Sequence, residues 1–247
     1  MRILGVIPAR HKSTRFEGKP LADILGKPMI QHVYERARQA GCLDDVLVAT
    51  DDVRIVSAVE RFGGKAVMTS ESHPSGTDRI AEAVAHSDAD VVVNIQGDEP
   101  MIDPVMLEEV VAPFRSGTDA GLVTIKKRVL HEEDYGDPNV VKVVTDPAGY
   151  ALYFSRSLIP YPRKRTVHFK VFEHIGLYAY TRVCLLRLSS LPPSPLEEIE
   201  SLEQLRALEN GIRILVVETR CEAESVSVDT QADLERVCRL LQGASHD

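Results

Sequence analysis

Apolar residues recur along this chain in two alternating rhythms. Short continuous runs bounded by turn formers give way to stretches with apolar positions three or four apart. Residues 3–7 (Ile3, Leu4, Gly5, Val6, Ile7) form the first run and read as a buried strand. A long polar loop follows, and a helical pattern begins only at Met29, with Met29, Ile30, Val33 and Ala37 on one face and a close near Gly41. Residues 46–50 predict a second strand, 53–61 a helix and 65–68 a short third strand. Residues 79–86 predict a helix that Thr77 or Asp78 could cap. Residues 90–95 read as the most deeply buried strand. This alternation predicts a parallel sheet with helices on both faces.

The second half changes character. Residues 120–127, 140–144 and 150–155 predict strands joined by short polar turns, hairpins rather than crossovers. Residues 171–180 form a partly aromatic strand-like run. Residues 185–191 and 197–208 are helical in pattern, separated by Pro192, Pro193, Ser194 and Pro195. Residues 212–217 return as a strand, and 231–241 as a last amphipathic helix. The expected fold is α/β, a doubly wound Rossmann-like mixed sheet. Residues 1–119 and 211–247 would form its core, and residues 120–210 an inserted α+β lobe.

Size and charge narrow the function. With 247 residues the chain can bury a substantial core. Its formal charge of −8 disfavours a nucleic-acid backbone as partner, so a local cluster of cations points instead to a small anion. The first apolar run is too short for a signal-peptide core, and no run approaches the ~20 residues of a membrane span. Cys42, Cys184, Cys221 and Cys238 are far apart and form no C-x-x-C pair, which fits reduced thiols in a cytoplasmic protein.

The cations lie in the loop that leaves the first strand: Arg10, Lys12, Arg15 and Lys19, against the single acid Glu17. Ligands of open α/β sheets bind beyond the carboxyl ends of the strands, and four cations there suit a polyanion such as a triphosphate. Gln96, Gly97, Asp98, Glu99 and Pro100 end the central strand at the same edge. A carboxylate facing cations suits a Mg²⁺-nucleotide site, although Gly97 and Pro100 equally make Asp98 a turn residue. Asp229 precedes the last helix and by itself reads as an N-cap, with Asp233 favouring the helix start. No G-x-G-x-x-G follows the first strand and no G-x-x-x-x-G-K-[ST] occurs, which disfavours dinucleotide cofactors and removes the P-loop proteins.

Several segments in order carry a family resemblance: residues 9–20, 73–79 (His-Pro-Ser-Gly-Thr-Asp-Arg), 96–100, 150–156, 193–197 with 202–206, and 228–230. Over nearly its whole length the chain resembles the 3-deoxy-manno-octulosonate (Kdo) cytidylyltransferases. That resemblance implies the nucleotide-diphospho-sugar transferase type of sheet and the Mg²⁺-dependent reaction of CTP with Kdo to give CMP-Kdo and pyrophosphate, for lipopolysaccharide synthesis. It also implies a homodimer, with the inserted lobe serving sugar binding and dimerisation.

The same resemblance assigns roles. Arg10, Arg15 and Lys19 would hold the triphosphate, and Asp98 and Asp229 the metal. Ala9, Ser75, Gly76 and Arg79 would line the cytosine and ribose pocket. Arg156 would pair with the sugar carboxylate, and Gln96, His174, Tyr178, Glu203 and Gln204 would meet its hydroxyls. His174 and Tyr178, four apart on a strand, share a face. Another sugar acid, an acylneuraminate or 8-amino-Kdo, is one alternative. A non-catalytic nucleotide-binding regulator is another.

Overall fold

The computed structural model describes residues 1–12, 16–164, 169–222 and 226–243. The chain divides into two compact units, Met1–Glu108 with Cys221–Asp247, and Glu109–Arg220. Both boundaries differ from the expected 119/120 and 210/211.

In the first unit, β1 (Ile3–Ala9) leads through a 3₁₀ turn (Lys19–Leu21) and a small hairpin, β2 (Asp23–Ile24) and β3 (Lys27–Pro28), into α1 (Met29–Gln39). Then come β4 (Asp45–Thr50), α2 (Val53–Arg61), β5 (Ala66–Met68), α3 (Gly76–Val84) and β6 (Val91–Asn94). The four long-range strands are parallel in the order β6-β1-β4-β5. Their buried residues include Ile3, Val6, Ile7, Val46, Val48 and Val91–Val93 as a continuous apolar set, the signature of strands covered on both faces. Successive crossovers place β4 and β5 on one side of β1 and β6 on the other. The loops after β1 and β6 therefore part company, and the crevice between them is where such sheets bind ligands.

Met29, Ile30, Val33 and Ala37 bury the expected face of α1. The start of α3 corrects the expectation. Ser75, not Thr77 or Asp78, is its N-cap, accepting the Asp78 N–H at 3.2 Å. A helix was not expected after the residue 96–100 turn, yet α4 (Pro104–Arg115) forms there with Pro113 inside its last turn.

The second unit contains β7 (Leu122–Arg128), β8 (Lys142–Thr145), β9 (Ala151–Ser155), β10 (Phe172–Thr181), α5 (Arg182–Ser189), α6 (Pro195–Glu200), α7 (Gln204–Glu209) and β11 (Ile214–Glu218). Strand β10 pairs antiparallel with β7 and β8, and β8 with β9, as the hairpin reading expected. Strand β11, expected in the nucleotide core, instead runs parallel to β7 over Ile214–Glu218. The helix expected over residues 197–208 is two helices. Ser201 breaks it in the left-handed region at φ 51°, although neither glycine nor proline marks the spot.

Between Ile175 and Tyr178, β10 advances three residues while β7 advances one, from Ile125 to Thr124. The two additional residues, Gly176 and Leu177, keep the side-chain parity. His174 and Tyr178 consequently remain on one face, with ring centroids 5.4 Å apart.

Candidate functional site

Arg10 follows directly on β1. The loop after it is closed at its neck, where the Gly18 N–H donates to the His11 carbonyl at 2.9 Å. Gly18 has φ +69°, and a Cβ there would come within 3.2 Å of the His11 ring, so glycine suits this corner on two counts. Lys19 then opens the 3₁₀ turn and sends its ammonium to the Asp98 carboxylate at 2.7 Å and the Asp229 carboxylate at 3.3 Å.

Backbone contacts bring the two acids together. The Val228 N–H donates to the Asp98 carbonyl at 2.9 Å. Val226 and Val228 are buried against Ile24, Met29, Leu234 and Val237, and alternation along this extended segment sets Asp229 off from them. Capping of the C-terminal helix (Gln231–Gly243) is shared by Thr230 and Asp233. Asp233 accepts the Thr230 N–H at 2.8 Å and the Asp229 N–H at 3.1 Å, and Thr230 Oγ1 accepts the Asp233 N–H at 3.3 Å. The N-cap that the sequence assigned to Asp229 thus falls to Thr230, and the Asp229 carboxylate accepts from Lys19 instead.

On the other side, Gly97 lets the turn after β6 press on β1. A Cβ at Gly97 would stand 2.7 Å from the Pro8 carbonyl oxygen, a backbone atom that cannot swing away. Gly97→Ala is expected to lower unfolding free energy by about 1–3 kcal/mol, read from the denaturant midpoint. A midpoint equal to wild type would mean that this approach is not tight.

These segments enclose a cavity of about 300 Å³. Ala9, Arg10, Lys19, Asp98 and Asp229 border it, as do Ser75, Gly76, Arg79 and Gln96. The residues assigned roles in the first unit thus meet at one cavity, except Arg15, which lies outside the described residues. Lys12, the other cation of the loop, does not border it and stands exposed, paired with Glu71 at 3.3 Å. Arg79 is more committed than expected. It is buried, donating to Asp51 at 2.8 Å and Thr69 Oγ1 at 2.6 Å, so it braces the cavity wall. Asp51 carries no role in the sequence reading, and His73 none beyond its place in the 73–79 motif; His73 borders the same cavity and is bonded to Glu82. Asp51 directly follows an expected strand, on the ligand-binding edge of the sheet, and that was the signal available.

In the second unit His174 is buried between the Phe154 ring, whose centroid is 4.9 Å away, and Tyr178. The Thr124 hydroxyl has one proton, and its shortest acceptor is the Leu177 carbonyl at 2.8 Å. His174 Nε2–H therefore donates to Thr124 Oγ1 at 3.0 Å, which leaves Nδ1 as the acceptor facing the Gln204 amide at 3.5 Å. Burial lowers the His174 pKa to about 3. It also raises that of the Tyr178 hydroxyl, with the Glu203 charge adding to the effect. Both groups are thus neutral at pH 7. Tyr178, Glu203 and Gln204 line a hollow of only about 10 Å³, room for a single water.

Protonation of His174 penalises the folded state, because the unfolded histidine takes its proton near pH 6.5 and the folded one only near pH 3. Wild-type stability is expected to fall as pH drops below about 6.5, with up to about 1.4 kcal/mol per pH unit from this residue. His174→Gln should remove that part of the slope in urea titrations at several pH values. An unchanged slope would contradict this.

Arg156 departs from its expected part. Its guanidinium donates to the carbonyls of Glu200 at 2.7 Å, Pro138 at 2.8 Å and Ser201 at 3.3 Å. It ties two loop segments together, and a carboxylate would have to displace those bonds. No helix among the described residues is long and apolar enough to cross a membrane. None of the four cysteines, all among the described residues, is in a disulfide.

Residues 4–214 match the family model described as Cytidylyltransferase. The chain is 52% identical to the 3-deoxy-manno-octulosonate cytidylyltransferase of Geotalea daltonii, over 98% of this chain and 99% of that one. It is 54% identical to the protein of that name from Syntrophotalea carbinolica, over 98% and 100%. A solved structure of CMP:2-keto-3-deoxy-manno-octonic acid synthetase complexed with CTP superposes with a TM-score of 0.93 at 46% identity, covering 99% of this chain and 100% of that one. A glucose-1-phosphate thymidylyltransferase from Bacillus anthracis, 18% identical over 96% of this chain and 94% of that one, shares the fold with a TM-score of 0.67. The chain belongs to the cytidylyltransferase family and, within it, to the 3-deoxy-manno-octulosonate cytidylyltransferases.

Proposed function

We propose that the protein joins 3-deoxy-D-manno-octulosonate to CTP, giving CMP-Kdo and pyrophosphate, as a cytoplasmic step of lipopolysaccharide synthesis. The observation that carries this reading is the meeting of Lys19, Asp98 and Asp229 beside a cavity large enough for a nucleotide. Arg10 and Lys19 bind the phosphates and oppose the charge that develops on them, and Arg15 is assigned the same task from sequence alone. Ala9, Ser75 and Gly76 form the wall for the pyrimidine and ribose. A Cβ at Gly76 would come within 3.3 Å of the Pro8 ring, so the main chain there lies close in. Arg79, anchored by Asp51, stiffens that wall.

Two carboxylates converging on one cationic atom are the hard-oxygen donor set that Mg²⁺ takes, and Asp98 and Asp229 would hold it. When bound, the ion would withdraw charge from phosphate oxygens and favour ionisation of the attacking hydroxyl. The C2 hydroxyl oxygen of Kdo bonds to the α-phosphorus as the bond to the bridging α,β oxygen breaks. Pyrophosphate leaves and the hydroxyl proton passes to solvent. The chain contributes position and charge, with no side chain assigned as general base.

Gln96 borders the nucleotide cavity and is the candidate there for a sugar hydroxyl. The hollow beside Tyr178, Glu203 and Gln204 admits only a water, and His174 has both ring nitrogens engaged, so that set, expected to meet hydroxyls, is closed to a sugar as it stands. Arg156, through its three carbonyl contacts, serves this reading best by positioning the segments around residues 138 and 200. A homodimer belongs to the same reading, with Leu152 exposed on β9 as an apolar contact, and light scattering measures it.

The experiment is CTP-dependent pyrophosphate release across a panel of sugar acids. Release with Kdo supports the proposal. Release only with an acylneuraminate or 8-amino-Kdo moves the substrate, and no release with any acid overturns the enzyme reading.

A further inference from the structure

We infer that Lys19 is an internal stand-in for the divalent ion: its ammonium holds the Asp98 and Asp229 carboxylates while no metal is bound and leaves them when metal and nucleotide enter. The inference rests on the metal-holding role proposed above for the two acids.

Two carboxylates brought together repel, and a cation shared between them offsets that repulsion. Here a single nitrogen reaches an oxygen of each, at 2.7 and 3.3 Å. The site is partly shielded, the Lys19 side chain being 15% exposed and the Asp98 side chain 28%. Water therefore screens the Lys19–Asp98 pair less than it would at an open surface, while Asp229, 39% exposed, is screened more.

The three groups differ in freedom. Asp98 and the segment carrying Asp229 are fixed to each other by the Val228 N–H to Asp98 carbonyl bond. Lys19 has its backbone held by the 3₁₀ turn, in which the Ala22 N–H donates to its carbonyl at 3.0 Å, but its charge rides on a flexible four-carbon stem. The acids are thus the fixed partners and the ammonium the movable one.

Exchange follows from charge. An ammonium brings one positive charge to the two acids, whereas a divalent ion brings two. A metal arriving alone must displace Lys19 and leave that ammonium without its carboxylates. A metal arriving with a triphosphate offers Lys19 new oxygens within the same cavity, which Arg10 also borders. Metal and CTP should therefore tighten each other's binding, and by linkage the enhancement is reciprocal.

The test uses the full chain and Mg²⁺ alone, by calorimetric titration, with melting temperatures in EDTA and in saturating Mg²⁺. In EDTA, Lys19→Gln is expected to melt about 2–4 °C below wild type, and Lys19→Arg, which keeps the charge, close to it. Saturating Mg²⁺ should close the gap for Lys19→Gln. Without nucleotide, that variant should bind Mg²⁺ about tenfold more tightly than wild type, and CTP should enhance the binding less than it does in wild type.

If Lys19→Gln binds Mg²⁺ no more tightly than wild type while Asp98→Asn loses binding, the stand-in role is overturned and the metal site survives. If wild type, Lys19→Gln and Asp98→Asn all bind Mg²⁺ alike, the metal-holding role itself fails and the inference with it.

Discussion

Asp98→Asn is expected to leave the protein folded and to lower turnover roughly a thousandfold, the scale of losing a preorganised charge from a phosphoryl-transfer site. The fold should survive because the contact that gathers the site there is made by backbone. The Val228 N–H donates to the Asp98 carbonyl, which the substitution keeps. Asparagine is nearly isosteric with aspartate and still presents an oxygen, but the charge that would hold a metal is gone. Lys19 would keep only Asp229. Steady-state kinetics of CTP and Kdo consumption, alongside a melting curve, separate the two effects. Turnover above about a tenth of wild type, with an unchanged melting temperature, would remove Asp98 from the metal-holding pair.

The largest expected effect on stability lies in the second unit, at a buried ion pair between α6 and α7. Arg206 donates through Nε to Glu197 at 2.7 Å, and Glu197 also accepts the Ser194 N–H at 3.0 Å, closing the capping box of α6. Both side chains are nearly enclosed, 7% and 13% exposed. Burial alone would push the Glu197 carboxyl upward, but the Arg206 guanidinium and the Ser194 N–H outweigh it and hold the group below the usual carboxylate range. Arg206→Met leaves that carboxylate buried without its partner and should cost about 3–5 kcal/mol of unfolding free energy.

Adding Glu197→Gln should recover part of the loss, since glutamine still accepts the Ser194 N–H and carries no charge. Because the folded pKa is depressed, the wild-type pair contributes above the ordinary glutamate range and its contribution fades as pH falls through the folded value. Urea midpoints at neutral pH and below pH 4 measure this. An Arg206→Met loss under about 1 kcal/mol would mean that the carboxylate is not in need of this partner.

Much of the first unit could be read from the chain because its strands are buried on both faces and write themselves as uninterrupted apolar runs, Val91–Val93 above all. Of the cationic loop, the places of Arg10 and Lys19 could be read, since a strand end fixes where they go, whereas Lys12 turns to Glu71 instead. What periodicity could not supply was distance. Nothing local announces that Asp229 meets Asp98, because a single backbone hydrogen bond and the burial of Val226 and Val228 arrange it. The family resemblance, carried by several short motifs together, supplied that pairing.

The errors have physical causes as well. Helix α4 contains Pro113, and a proline inside a run ordinarily argues against helix, although Pro104 at the first position is a favoured start. The break at Ser201 carries no glycine, and the carbonyls of Glu200 and Ser201 that flank it are taken up by Arg156. That arginine had been assigned to an anion. Strand β11 lies late in the chain, which suggested the nucleotide core, but its hydrogen bonds go to β7.

The pair of additional residues in β10 bears on how this strand can change length over generations. Losing Gly176 and Leu177 together would straighten the ladder and still leave an imidazole and a phenol looking the same way. Losing either one would rotate every later side chain of the strand through half a turn, turning Tyr178 and Tyr180 away from their neighbours. Length variation at this point should therefore be inherited in even steps.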